Sequence, residues 1–98
     1  MVVVVTSNVA DRFRGFLASA MLEIAPGVYT QPRMSKAVRE RVWAVLADWH
    51  GFLGGGSIVM TWRDASEPCG QGILTLGLPA RTFVELNGGL VTTITQAG

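Results

Sequence analysis

Cysteine and histidine each occur once in this chain of 98 residues, as Cys69 and His50. A single cysteine excludes an internal disulfide and fits a reducing cytoplasm. One residue of each type also leaves no Cys/His cluster with the spacing of a zinc site. Charged residues make up only 15% of the chain, and the acids are scattered singly, so no carboxylate pair is spaced for joint acid–base work. Gly54-Gly55-Gly56 is not followed by Lys-Ser or Lys-Thr, which excludes a P-loop. The apolar start Met1-Val2-Val3-Val4-Val5 stops at Thr6-Ser7-Asn8 and has no basic residue before it, so it is too short for a signal core or a membrane span. These absences point to a cytoplasmic protein with no catalytic residues, no metal site and no cofactor of its own.

What is present suits one domain. The chain is 49% hydrophobic, and a domain of this length buries roughly 60–65% of the surface its unfolded chain exposes. It is marginal alone, and dimerisation is the natural way to cover the remainder. The net charge of +1 conceals an uneven distribution. Residues 1–41 carry Arg12, Arg14, Arg33, Lys36, Arg39 and Arg41 against Asp11, Glu23 and Glu40, a balance of +3. Residues 42–98 carry Arg63 and Arg81 against Asp48, Asp64, Glu67 and Glu85, a balance of −2. Nearly all the cations are arginine, whose planar fork suits phosphate.

The unbroken β-branched run at 2–6 reads as a central strand covered on both faces. Asn8 is placed to cap a helix over 9–23, with Asp11 near the positive end of its dipole. Phe13, Phe16, Leu17, Ala20 and Met21 form its buried stripe, and Gly15 inside it predicts close approach of another backbone. Ala25-Pro26-Gly27 turns the chain into a short strand at 28–31. Ser35 caps a second helix over 35–49, where Val38, Val42, Val45, Leu46 and Trp49 keep helical spacing and His50-Gly51 closes the helix. Strands follow at 57–63 and 71–77, joined as a hairpin by a polar loop, and then at 83–86 and 90–95 around the turn signal Asn87-Gly88-Gly89. The order predicts an α+β ferredoxin-like βαββαβ sandwich, two helices on one sheet, with an extra C-terminal strand.

Arg12 and Arg14 are the strongest functional signal. Two residues apart in a helix, they point in roughly opposite directions, so both cannot sit idle on one solvated face. Near a dimer axis their four copies would straddle one groove or one phosphate backbone. Ordinary surface solubility is the competing explanation. Lys36, Arg39 and Arg41 open the second helix, where a solvated face accounts for Arg39 and Arg41, and the i,i+4 pair Arg39 and Trp43 predicts a stack. His50 reads as a C-terminal cap interacting with the helix dipole. Trp43, Trp49 and Trp62 read as core or interface. The strands lack the paired aromatics with which an RNA-recognition sheet stacks bases.

Several segments in order carry a family likeness. They are Val2-Val3-Val4-Val5-Thr6 into Asn8-Val9, Arg12-Phe13-Arg14-Gly15, Leu22-Glu23-Ile24, Gly27-Val28-Tyr29, and Ser35 through Arg39-Glu40 to Trp43. Ile58-Val59-Met60-Thr61-Trp62 and Gly77 to Arg81-Thr82 follow. The set resembles the CRISPR-associated protein two family in its subtype I-E form, over essentially the whole chain. The resemblance implies a ferredoxin-like homodimer that serves spacer acquisition, antiviral defence by storage of invader DNA. Such a dimer bridges two dimers of the CRISPR integrase, protein one of the same system, and supplies a platform for double-stranded DNA while the integrase does the strand transfer.

By that resemblance Arg12 and Arg14 match backbone phosphate contacts and Asn8 a neighbouring one. Lys36 stands one place from a family lysine, and Arg81 keeps the second member of an Arg-Arg pair. Leu90, Val91, Thr92, Thr93 and Ile94 resemble the strand that docks on the integrase, which divides the chain into a domain at 1–86 and a docking tail at 87–98. Relatives outside this branch often carry an aspartate at the end of the first strand, tied to metal-dependent nuclease activity. Here that stretch is Thr6-Ser7-Asn8, and neither Ser7 nor Asn8 is a strong ligand for a hard cation. A metal-dependent endonuclease of the same fold, using Mg2+ with Asp11 or Glu23, is the alternative reading. A small metabolite-binding regulatory domain is a third.

Overall fold

The computed structural model describes residues 1–78, 81–86 and 89–94, the last two spans by their backbone alone. The elements run β1 (Val2–Ser7), α1 (Asp11–Ala20), β2 (Leu22–Ala25), β3 (Val28–Gln31), α2 (Lys36–Leu53), β4 (Ser57–Arg63), β5 (Gln71–Leu76), β6 (Arg81–Leu86) and β7 (Gly89–Ile94). The first five strands form one antiparallel sheet in the order β2-β3-β1-β4-β5. That is the strand order of a ferredoxin-like βαββαβ unit with β5 added at one edge, and the α+β expectation holds. Among the described residues β6 and β7 pair only with each other, as a second, two-stranded sheet.

Strand alternation explains the core. Val2 and Val4 of β1, Tyr29 of β3, and Ile58 and Met60 of β4 fall on one face by register, and all are buried. Phe13, Leu17 and Met21 from the α1 segment and Val42 and Leu46 from α2 complete a single cluster with them. The opposite face carries Val3, Val5, Val28 and Val59. Val5 there is 41% exposed, and Leu22 and Ile24 on edge strand β2 are 66% and 59% exposed. Among the described residues the run at 2–6 is thus a central strand with helices on one face only, and its other face is left partly exposed rather than covered as expected.

Several local expectations need correction. Asn8 does not cap α1: its φ is +55°, the N-cap is Ala10 with no side-chain hydrogen bond, and the helix begins at Asp11. The helix also ends at Ala20, because Met21 turns extended and Leu22–Ala25 joins the sheet as β2, a strand that the continuing apolar spacing concealed. A methyl group added at Gly15 would meet no atom within 4 Å, so no backbone approaches it. Ser35 caps α2 as expected, its Oγ accepting from the Val38 amide at 3.2 Å. However, α2 runs through His50-Gly51 to Leu53 and stops only where Gly54 turns to φ +61°. Val38 is 44% exposed rather than core.

Candidate nucleic-acid interface

The end of β1 is shaped by glycines on both sides. The Thr6 amide donates to the Gly27 carbonyl at 2.7 Å, and the Thr6 hydroxyl donates to the same oxygen at 3.1 Å. From the other side Gly56, at φ +69°, lies directly against the Ser7 and Asn8 carbonyls. Between these supports Asn8 takes its left-handed conformation, which asparagine tolerates better than most residues. Thr6, Ser7, Asn8, Val9, Arg14, Pro26 and Gly27 line an open groove of about 420 Å³ at this corner.

Arg14 reaches that groove from α1 while tied to the sheet. Its Nη2 lies 3.9 Å from Glu23 Oε2 on β2. The same carboxylate oxygen accepts from the Gly27 amide at 3.4 Å. The Tyr29 hydroxyl is buried and meets no partner in full hydrogen-bond geometry, yet it is near enough to both charges to perturb them. Tyr29 and the Gly27 amide hold the Glu23 carboxyl below the usual carboxylate range. Tyr29 and then the Glu23 charge keep the Arg14 guanidinium above its ordinary value. Burial first, and then Glu23, push the Tyr29 phenol up. Arg14 is therefore a fixed cation whose charge is partly balanced.

Arg12 points to the other side of α1, as the two-residue spacing requires. Its guanidinium carbon stands 5.2 Å from the ring centroid of Trp49 on α2. Trp49 is in turn met edge-on by Phe13 at 5.8 Å and Phe16 at 5.3 Å. No described carboxylate forms an ion pair with Arg12.

The other residues singled out lie elsewhere. Lys36 is at the start of α2, 4.0 Å from Glu40, and both side chains are mostly exposed. Gln31 pairs with Val2, and α2 begins shortly after it, so Lys36 lies at the end of the sheet opposite Ser7-Asn8. Asn8 and Arg14 thus share a groove, Arg12 stands on the other side of the helix that carries Arg14, and Lys36 is remote within one chain. Arg81 opens β6, and Leu90 to Ile94 lie in β7; their side chains, and the turn residues Asn87 and Gly88, fall outside the described residues. Arg39 does not stack on Trp43. It lies 4.0 Å over Trp62, whose ring offers a flat face across the strand from Gly72. His50 is not the C-cap residue, which is Gly54, but it is the basic residue of the last turn of α2, where its carbonyl accepts from the Gly54 amide at 2.9 Å; its Nε2 is buried and meets no hydrogen-bond partner among the described residues.

Of the acids raised as metal ligands, Asp11 is exposed in the first turn of α1 and Glu23 is tied to Arg14. Among the described residues no three His, Cys, Asp or Glu side chains are grouped to hold a metal ion, and no helix is long and apolar enough to cross a membrane. Sequence reasoning did not find the supports of the two arginines. Glu23, Tyr29 and Trp49 meet them from other elements, and no spacing along the chain signals such contacts.

Fold and corner together define a class: a small ferredoxin-like α+β protein with two anchored arginines beside the open end of its central strand. Within that class the comparison with family models is decisive. The family described as CRISPR-associated protein (Cas_Cas2CT1978) matches residues 1–91. The chain belongs to that family, in agreement with the resemblance read from its segments, and so belongs to a CRISPR system.

Proposed function

We propose that the protein is a scaffold of spacer acquisition, a homodimer that holds duplex DNA by its phosphates and bridges two dimers of the CRISPR integrase. The observation that carries this reading is the corner at the end of β1. There Asn8 and Arg14 share one groove, Arg12 stands on the other side of the helix that carries Arg14, and the strand runs out into the neutral residues Ser7 and Asn8. Such a corner supplies positive charge and the polar side chain of Asn8 for a phosphate backbone and no strong ligand for a hard cation. The partly exposed sheet face at Val5, with Leu22 and Ile24 beside it, supports self-association, because a second copy would remove that apolar surface from water. β7, paired only with β6 among the described residues, is the segment assigned to the integrase, with Arg81 at the start of the ribbon as a further phosphate contact.

Replacing Arg12 and Arg14 together by alanine is expected to weaken binding to duplexes of any sequence. The slope of log affinity against log salt should fall by about 0.9 for each phosphate contact removed. Anisotropy titrations of a labelled duplex at several salt concentrations read both quantities. Unchanged affinity and slope would sink the platform assignment. Chelator-sensitive cleavage of that duplex in magnesium, lost in Asp11→Ala, would replace it with an endonuclease. Removing residues 90–98 is expected to abolish co-purification with the integrase, and retention of the full complex would refute docking through β7.

A further inference from the structure

Arg12 and Arg14 lie two residues apart on one helix, and the structure anchors them in physically different ways. Arg14 is held by a carboxylate, and Glu23 balances part of the charge it would bring to a phosphate. Arg12 is held by the face of Trp49 at 5.2 Å, with no described ion pair. An aromatic face attracts a guanidinium through its quadrupole and leaves its net charge intact. It also limits the conformations of a long side chain whose ordering is otherwise a cost of binding. The ring itself cannot turn freely, because Phe13 and Phe16 meet it edge-on and it packs against the core.

We infer that Trp49 is a positioning residue for DNA binding: it holds Arg12 against its ring with the full charge available, which makes Arg12 the dominant phosphate contact of the pair. The inference rests on the duplex-binding reading above and adds a residue on the second helix to it. It also orders the two arginines. Arg12→Ala costs more duplex affinity than Arg14→Ala, because Glu23 already balances part of the charge that Arg14 brings.

The test is a double-mutant cycle on the full-length protein, with a fluorescein-labelled blunt duplex of arbitrary sequence as the probe. Trp49→Leu is expected to weaken binding roughly 2–5-fold, the range of an exposed cation–π contact. Trp49→Phe, which keeps an aromatic face between Phe13 and Phe16, is expected to recover most of that loss. In an Arg12→Ala background Trp49→Leu should produce no further loss, because the side chain it positions is gone. A loss of the same size in that background would show that Trp49 acts through the fold and overturn the proposal. So would wild-type affinity in Trp49→Leu while Arg12→Ala binds weakly, or a larger loss from Arg14→Ala than from Arg12→Ala. If Arg12→Ala alone leaves affinity and salt slope unchanged, the phosphate role of Arg12 fails first and the positioning role falls with it. Trp49→Phe keeps the cycle informative should Trp49→Leu fold poorly.

Discussion

Gly56→Ala is expected to destabilise the protein by roughly 2–5 kcal/mol, the sum of a left-handed backbone penalty and an overpacking penalty. Gly56 has φ +69°, and a Cβ there would press on the Asn8 carbonyl oxygen and lie 2.7 Å from that of Ser7. Both obstacles are backbone. Neither can swing aside, because Ser7 pairs with Ser57 in the β1–β4 ladder one residue beyond. Gly55→Ala is the control: its φ is +72°, but nothing stands within 4 Å, so only the conformational penalty applies. Urea denaturation should show a much lower midpoint for Gly56→Ala than for Gly55→Ala. Equal shifts would mean that the close approach of the two segments contributes nothing. The result bears on function as well, since the displaced carbonyl belongs to Asn8, which lines the groove.

Gly72→Ala is expected to cost roughly 1–3 kcal/mol by a different route. Its backbone is ordinary, and the obstacle is a side chain. Gly72 pairs with Trp62 across β4 and β5, and a Cβ would press on Cε2 and Cζ2 of the Trp62 ring and lie 2.7 Å from its Nε1. The added methyl lifts the ring. That disturbs both the Arg39 guanidinium 4.0 Å above it and the 3.4 Å hydrogen bond that the Trp62 Nε1–H donates to Asp64. The cause can be isolated. With Trp62 already replaced by alanine, Gly72→Ala should be neutral or stabilising, because alanine suits a strand interior better than glycine. A full penalty in that background would place the conflict somewhere other than the indole.

How far the sequence carried depended on the range of the interaction involved. β1, the β4–β5 hairpin and the Ser35 cap were legible because each is specified locally: a β-branched run, two strand-like runs around a polar loop, and a hydroxyl three residues before the amide it caps. β2 was not. The apolar spacing of α1 continues to Met21, and what ends the helix is the pairing of Leu22 and Glu23 with Thr30 and Tyr29. Periodicity carries no record of that. Arg39 shows the same limit: within its own helix Trp43 is the available ring, but Trp62 presents its face from another element. In the candidate site Arg12 and Arg14 stood out by their spacing, whereas Asn8 read locally as a helix cap and entered the site only through the family resemblance. Their supports were not legible, because Glu23, Tyr29, Trp49 and Gly56 meet them only after the chain has folded.

The register of β1 also has a consequence for how the protein is made. β1 leaves the ribosome before either of its neighbours, yet it pairs with β3 through Val2 and Gln31 and with β4 through Val2 and Trp62. No partial chain that stops before β4 can complete the sheet. Throughout that interval an aliphatic β-branched segment waits without its ladder, the condition that favours misassociation of nascent chains. Expression yield should therefore depend on the speed and crowding of synthesis more than the stability of the finished domain would suggest.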